Sequence, residues 1–512
     1  MLAACAASAE PGDTTLIAGP ESAYPQLSSN GRFVLYGERD EFVRGANLFV
    51  LDRLTGQREP INDAETNHSL LGWGWLPQAT MSGDGRYVVW CHLFQALIRD
   101  RIEGTTGPVL VHGRPFRTRD CDFALNEDGR LLVFNSDDPL VAGDTNGESD
   151  VFVLDRTTGK IERISVSSTG AQADDRSLDP AISADGRIVK FLSLATNLVP
   201  GDTNDDLDVF VRDRIAGNTT RVNLDASGAQ TTGASWRFTS APKGRTLSAD
   251  GRFVAFVSSA AIVPGDTNDR DDVFVVDRQS GTVDLVSVSS DGEVGLEGSD
   301  EPSISGDGRF VSFDSRSQNL VPGDYGEFDS DVFVRDRTLG RTERASVWSS
   351  GAESTNLSYH QSYSAAGTLS ADGRFVAFHS TADLARGAST EGGTYLHEVG
   401  GTDYWVFSVK PHQADFGEQS IGSVSGPRIF TVRNDGTQPL TLRTVELRGP
   451  AKGQFLQSSN CPAAVPAGDQ CTVSVRFAPA WLGPKWAVLK VIFDTGGPRP
   501  VRTEYLSGVG VQ

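Results

Sequence analysis

A chain of 512 residues with 38% hydrophobic side chains has the material for more than one core, and its 55 glycines mark it as rich in turns. Its formal net charge of −21 disfavours DNA, RNA and anionic lipid surfaces as partners, because each asks for a basic face that displaces counterions. No run approaches the ~20 apolar residues of a helical membrane span.

At the start of the chain, Leu2-Ala3-Ala4-Cys5 resembles the box that ends a bacterial lipoprotein signal, although only Met1 stands before it. Residues 1–13 are therefore expected to be an export remnant or a disordered N-terminus, with Cys5 as a candidate for lipidation. One phrase then recurs seven times: SSNGRFVLY with Arg32, SGDGRYVVW with Arg86, NEDGRLLVF with Arg130, SADGRIVKF with Arg187, SADGRFVAF with Arg252, SGDGRFVSF with Arg309 and SADGRFVAF with Arg374. Copies spaced roughly 45 to 65 residues apart predict one small antiparallel sheet per copy in a radial array.

Each copy reads as four strands. A short first strand enters the Asp-Gly or Asn-Gly turn, whose glycine supplies the positive φ of a tight hairpin. An apolar second strand follows. The third has the form D-V-F-V-x-D-R, at 150–156, 208–214, 272–278 and 331–337, and a Gly-bearing turn at Gly159, Gly281 or Gly340 leads to a fourth. Blades one, two and seven are worn copies, with Asn47-Leu48-Phe49, Leu97-Ile98-Arg99 and Thr394-Tyr395-Leu396 at the third strand. Thr14 to Ala18 stands where other copies carry a fourth strand, and the seventh copy lacks one. The segment is expected to close the ring as the outer strand of blade seven and remove two unpaired edges.

Between second and third strands, three loops place oxygen side chains at alternate positions. They are Asp144, Asn146, Glu148 and Asp150; Asp202, Asn204, Asp206 and Asp208; and Asp266, Asn268 and Asp272. A fourth, with Asp324, Glu327, Asp329 and Asp331, is one residue longer. Hard cations take six to eight oxygens, so the loops are candidate structural Ca²⁺ sites. The other reading is that Asp and Asn cap their own turns and the strand entry. The connections between blades are long and carry Trp73, Trp75, Trp236, Tyr359, His360 and Tyr363, a candidate binding face for proteins or sugar rings.

After Gly401 the pattern changes to one sandwich-like domain, with alternating runs at 404–409, 428–432, 440–447, 471–477 and 487–493. Cys461 and Cys471 flank a short Pro/Gly turn and fit a disulfide, free buried thiols being the alternative. Cys91 ends the second strand of blade two and Cys121 begins blade three, so neighbouring blades are in a position to join them. Two disulfides and only two Met point to export. For catalysis, no G-x-S-x-G elbow, H-E-x-x-H pair or phosphate-cradling loop is present. His68, His92, His112, His360, His379, His397 and His412 form no ligand-spaced cluster in the sequence.

The phrase S-x-D-G-R-x-[VI]-x-F resembles the WD40-like, TolB-like propeller repeat of bacterial envelope and secreted proteins, over roughly residues 20–400. Phe416-Gly417, Asn434, Cys461, Cys471, Phe477, Pro479 and Gly483, in that order, resemble the immunoglobulin-like domain of the ASPM–SPD2–Hydin class over 403–512. The resemblances imply an all-β chain, a seven-bladed β-propeller over 14–400 followed by an immunoglobulin-like β-sandwich over 401–512. Members of the first class serve as interaction platforms or as partner domains of hydrolases. The expectation is therefore an exported, non-enzymatic binding or structural scaffold of the bacterial envelope, periplasmic, anchored at the outer membrane or secreted. Its partner would be an envelope protein or an extracellular glycan, and no cofactor beyond structural Ca²⁺ is implied. The alternative is a propeller hydrolase or lyase acting on an extracellular polymer.

Overall fold

The computed structural model describes residues 14–19, 22–39, 46–62, 79–118, 121–231, 245–321, 330–347, 364–381, 384, 392–399, 407–411, 413–434, 439–494 and 501–512. Seven antiparallel sheets succeed one another and form a β-propeller. Blade one comprises Ser22–Leu27, Phe33–Arg39, Ala46–Asp52 and Gln57–Pro60, each strand bonded to the next. Blades two, three, four and six repeat this order. In blade five three strands are described, Phe253–Ser258, Asp272–Asp277 and Thr282–Leu285, and a bridge from Leu247 to Val254 marks the inner one. Blade seven takes its outer strand from the other end of the chain: Thr14–Ala18 pairs antiparallel with Gly393–Glu398.

The repeated phrase explains the packing. Its last aromatic faces the Phe of D-V-F one strand over, giving ring pairs Phe191–Phe210, Phe256–Phe274 and Phe313–Phe333 with centroids 5.7 Å apart. These central strands bury both faces because neighbouring blades cover them, and Leu131–Ser136 is buried at all six positions. Apolar clusters accordingly run across blade boundaries. Val133, Val151 and Val153 of blade three pack with Val189, Phe191 and Phe210 of blade four.

The charged residues of the phrase form a clasp. In every blade the Arg after the turn glycine holds the acid that ends the third strand: Arg32–Asp52, Arg86–Asp100, Arg130–Asp155, Arg187–Asp213, Arg252–Asp277, Arg309–Asp336 and Arg374–Glu398. The next Arg reaches back to the turn, as Arg278 Nη1 does in donating to the Gly251 carbonyl at 2.8 Å. In blades one, two, three and six it also lies over an aromatic ring of the preceding blade, as Arg53 does over Phe375 at 4.0 Å and Arg101 over Phe33 at 4.4 Å. The turn glycine is required twice over. Gly308 has φ +75°, and a Cβ there would stand 2.2 Å from the Phe253 ring of blade five.

The C-terminal unit is a β-sandwich. One sheet holds Phe407–Lys410, Arg428–Asn434, Gln470–Phe477 and Phe455–Ser459, and the other Gln413–Ser420, Val501–Val511, Gly483–Asp494, Leu440–Arg448 and Ala464–Val465. Phe430, Val432, Val473, Val475, Phe477, Leu489, Val491 and Phe493 fill the space between them. Gln413–Ser420 and Val501–Val511 pair in parallel, a contact between distant segments that alternation alone does not announce. Among the described residues no helix is long and apolar enough to cross a membrane.

Deleting the chain through Gly19 should leave the edge of Gly393–Glu398 unpaired and strip Leu16 from the blade-seven core. The expected outcome is aggregation or a melting temperature lower by at least ~5 °C, read by calorimetry and light scattering. Unchanged melting and solubility would mean that the ring does not depend on this strand.

Candidate functional site

The two ends of the propeller axis differ. At the Asp-Gly turns, backbone bonds link each blade to the next, the donor being the residue after the serine, the residue after Asn126 in blade three, and Asp84 in blade two. Ser29 N–H donates to Gly83 O, Asp84 to Glu127, Glu127 to Ala184, Ala184 to Ala249, Ala249 to Gly306, Gly306 to Ala371 and Ala371 to Ser29, all within 2.7–3.3 Å. The ring is closed, and only small side chains fit most of its positions. A Cβ at Gly83 would come within 2.1 Å of Glu127 Oε2 and 2.5 Å of Ser29 Oγ. Three blades also meet across the axis: Arg245 of blade five donates to Ser29 Oγ of blade one at 2.9 Å, and Ser29 Oγ donates to Glu127 Oε2 of blade three at 2.6 Å. Burial lowers the Arg245 guanidinium from its usual value, and Glu127 opposes that shift.

Above this closure lies a cavity of about 130 Å³ lined by Gln26, Asn126, Glu127, Asp179, Arg245 and Thr368 among others. The inner strands carry a bulge, which in blade four borders this cavity at Asp179. The register shifts between Ala23 and Gln26, Leu178 and Ala181, and Asp300 and Ser303. Tyr24, Asp179 and Glu301 hold φ of 56°, 53° and 50° there, each just before a proline. Such a conformation is costly for residues other than glycine, and its recurrence aims these side chains out of the strand.

Two of the bulges sit beside ionisable partners from the second strand. In blade four Lys190, 2% exposed, bonds Asp179 Oδ2 at 2.6 Å. In blade six Asp314 lies opposite Asp300 in the ladder, next to Glu301. Burial, and then the charges of Glu301 and Asp300, push the Asp314 carboxyl well above the usual carboxylate range. Its Oδ1 is buried and accepts no hydrogen bond from the described residues, while Oδ2 meets Ser330 Oγ at 3.4 Å. The arrangement gives one carboxylic acid that keeps its proton beside a carboxylate, which is the raw material of paired acid and base chemistry.

Among the residues singled out from sequence, the acidic loops are ordered by the protein itself in two blades. Arg163 Nη1 approaches Asp144 at 3.6 Å and Asp150 at 3.3 Å, and Gln172 Nε2 donates to both at 3.0 Å. Arg221 Nη1 lies 2.9 Å from Asp202 and from Asp208, and Gln230 donates to Asp202 at 3.2 Å. Asn146 and Asn204 turn their amide nitrogens to the carbonyls of Ala173 and Thr231. Glu148 is exposed, and the Asp206 N–H caps Asn204 Oδ1 at 3.4 Å. In blade five, Asn268 bonds Gly295 O at 2.7 Å, and Asp272 accepts from Ser287 Oγ at 2.5 Å. No group of three or more His, Cys, Asp or Glu that would hold a metal ion occurs among the described residues.

Cys91 is bonded to Cys121, with Cα atoms 5.7 Å apart, and Cys461 to Cys471, at 4.8 Å. Cys5, Trp73, Trp75, Trp236, Tyr359, His360 and Tyr363 lie outside the described residues, as do Asp324, Glu327 and Asp329. His379 and His397 are buried in blade seven and held neutral by desolvation, His397 with its pKa down to about 4. Sequence reasoning missed Glu127, Arg245, Asp179, Lys190, Glu301 and Asp314. The signal was departure from the repeat. Glu127 is the one charged residue at a position otherwise held by Ser, Gly or Ala, and Asp314 stands where blades four and five have Leu192 and Val257.

No protein-family model matches the chain, and no curated protein matches it. Solved structures similar to it include an oligogalacturonate lyase in complex with manganese, 14% identical over 77% of this chain and 94% of that one, with a TM-score of 0.46. Others are a prolyl endopeptidase, 12% identical over 82% and 55% with a TM-score of 0.43, and a putative TolB from Agrobacterium tumefaciens, 15% identical over 70% and 99% with a TM-score of 0.36. Two of these are enzymes, and the expectation of a non-enzymatic scaffold is corrected. That expectation leaned on missing local motifs, which are no guide where acids and bases come from separate strands and blades.

The ionisable groups set a pH profile. Hydrogen bonds from Arg32, Arg86 and Arg187 lower Asp52, Asp100 and Asp213 to about 2, so their stabilisation is present above the ordinary carboxylate range and lost as pH falls through that value. Burial raises Asp272 to about 7, so its contribution is present below the ordinary range and lost as pH rises through that value. In metal-free buffer the melting temperature should peak in mildly acidic solution and decline both toward pH ~2 and as pH rises toward ~7. A profile rising steadily from acid to alkaline pH would contradict this charge arrangement.

Proposed function

We propose that this chain is an exported enzyme that cleaves an extracellular polymer, by hydrolysis or elimination, at the open end of the propeller channel. The observation that carries the reading is the blade-six acid pair: Asp314, half-buried with its carboxyl raised well above the usual range, beside Glu301 on a strained bulge. Asp314 donates its proton to the leaving oxygen of the scissile bond, a step common to both reactions. The Glu301 carboxylate takes a proton, from water in hydrolysis or from the substrate carbon in elimination. Each cleavage then moves one proton onto the leaving group and one onto Glu301, and solvent exchange restores the pair.

Channel size favours a long substrate. A cavity of about 130 Å³ is small beside the roughly 300–1,000 Å³ of small-molecule pockets, so a substrate lies across the mouth as an extended chain does. The inter-blade connections, with Trp236 and Tyr359, supply aromatic faces for sugar rings in this reading. The TolB-like and ASPM–SPD2–Hydin-like resemblances belong to the same proposal, the sandwich serving as a spacer without chemistry. The Cys91–Cys121 and Cys461–Cys471 bonds support export.

Purified protein incubated with neutral polysaccharides, acidic polysaccharides and peptides should release new chain ends from one of these classes. The Asp314→Asn variant should lose at least ~10²-fold in kcat while melting at or above the wild-type temperature. The wild-type rate should fall as pH rises through the raised Asp314 value. No cleavage of any class, or cleavage by Asp314→Asn at the wild-type rate, would overturn the proposal.

A further inference from the structure

The acidic loops of blades four and five share a backbone plan and differ in what neutralises them. The fourth-strand residue that pairs with the D-V-F phenylalanine is Arg163, Arg221 and Arg344 in blades three, four and six, opposite Phe152, Phe210 and Phe333. Each of these arginines is bonded to the acid that opens the third strand, Asp150, Asp208 or Asp331. In blade five the same place, opposite Phe274, holds Leu285. A second substitution accompanies the first. The residue bridged across the following turn is Gln172 in blade three and Gln230 in blade four, whose amides donate to Asp144 and Asp202, but Val294 in blade five.

The carboxylates remain although both neutralising side chains are gone. Asp266 is 7% exposed and Asp272 fully buried. Asp266 Oδ2 and Asp272 Oδ2 are each shielded from solvent with no hydrogen-bond donor. Asn268 and Ser287 are the neutral donors to the pair, and the charges acting on it are those of Asp269 on Asp266 and of Asp266 and Asp271 on Asp272, all negative. Arg270, within the same loop, is engaged with Glu297 at 3.6 Å. Two buried carboxylates with orphaned oxygens and no counter-charge are strongly unfavourable unless a cation or protons join them.

We propose that blade five binds a hard divalent cation, Ca²⁺ by its oxygen chemistry, between Asp266 and Asp272, in the place that an arginine head fills in blades three and four. The two carboxylates supply the charge, and backbone carbonyls and water complete an all-oxygen set. Leu285 and Val294 carry no donor that would compete with the ion, whereas Arg221 and Gln230 in blade four exclude one. The ion bridges the second-to-third-strand loop to the third-strand entry and so stabilises the folded blade.

The test is calorimetric titration of the chelator-treated full chain with CaCl₂, MgCl₂ or MnCl₂, paired with melting curves in EDTA. One equivalent of Ca²⁺ is expected to bind and EDTA to lower the melting temperature. Leu285→Arg should abolish binding and melt alike with and without Ca²⁺. As a second variant that leaves the packing of Leu285 untouched, Asp266→Asn with Asp272→Asn should also lose the ion while folding normally, since it removes the buried charge. Arg221→Leu with Gln230→Val should raise the stoichiometry from one to two. Absence of binding by any of the three ions, undiminished binding by the double Asn variant, or a stoichiometry that stays at one in the blade-four variant would overturn the proposal. Each readout is binding or melting, independent of any polymer cleavage.

Discussion

The closed ring of backbone hydrogen bonds at the Asp-Gly turns is the constraint on which the rest of the propeller depends. Each blade offers one N–H and one carbonyl to its neighbours at this level, and the circuit from Ser29 through Ala371 and back leaves no blade without a link. Individually such bonds contribute about 0.5–1.5 kcal/mol. Their larger effect is geometric, because seven turns tied in a circle fix the spacing of seven inner strands. The circle admits only small side chains, and Glu127, Ser29 and Arg245 cross what space remains. The axis is thereby narrowed at the level of the turns.

Around that ring the repeated phrase works as a unit. The turn aspartate caps its own hairpin, the following arginine clasps the end of the third strand, and the arginine after that acid lies over the preceding blade's ring. The polar residues of the consensus are spent on structure, within a blade or between neighbours. Function is therefore carried by departures from the consensus, where a position freed from its structural duty holds something else. Asp314 takes an apolar position in blade six, Lys190 a small or apolar one in blade four, and Leu285 an arginine position in blade five. The same strained bulge that lets an inner strand clear its neighbours turns Asp179 and Glu301 toward these groups.

Much of this architecture was legible in the sequence because the repeat is local. The Asp-Gly turn, the apolar second strand and D-V-F-V-x-D-R lie within one short stretch, and seven copies overcome the wear of any one of them. Ring closure by Thr14–Ala18 was also readable, since a strand without a blade and a blade without a strand imply each other. The acid pair was not, because Glu301 and Asp314 belong to different strands and become neighbours only through the bulged register. The acidic loops misled in a particular way. Three similar oxygen-rich strings looked equivalent, and the feature that separates them lies on the next strand, where Arg163 and Arg221 give way to Leu285. In the sandwich, the parallel pairing of Gln413–Ser420 with Val501–Val511 joins segments too far apart for periodicity to relate them.

Closure of the backbone ring is the claim on which this account of the propeller rests, and amide hydrogen exchange measures it directly. Residues in turns ordinarily exchange quickly, as fraying needs little unfolding. If the ring is closed, the amides of Ser29, Asp84, Glu127, Ala184, Ala249, Gly306 and Ala371 should exchange as one slow set, at the rate of central-strand amides such as those of Val311 and Val332. Exchange of these seven amides at the rate of the outer turns would contradict it.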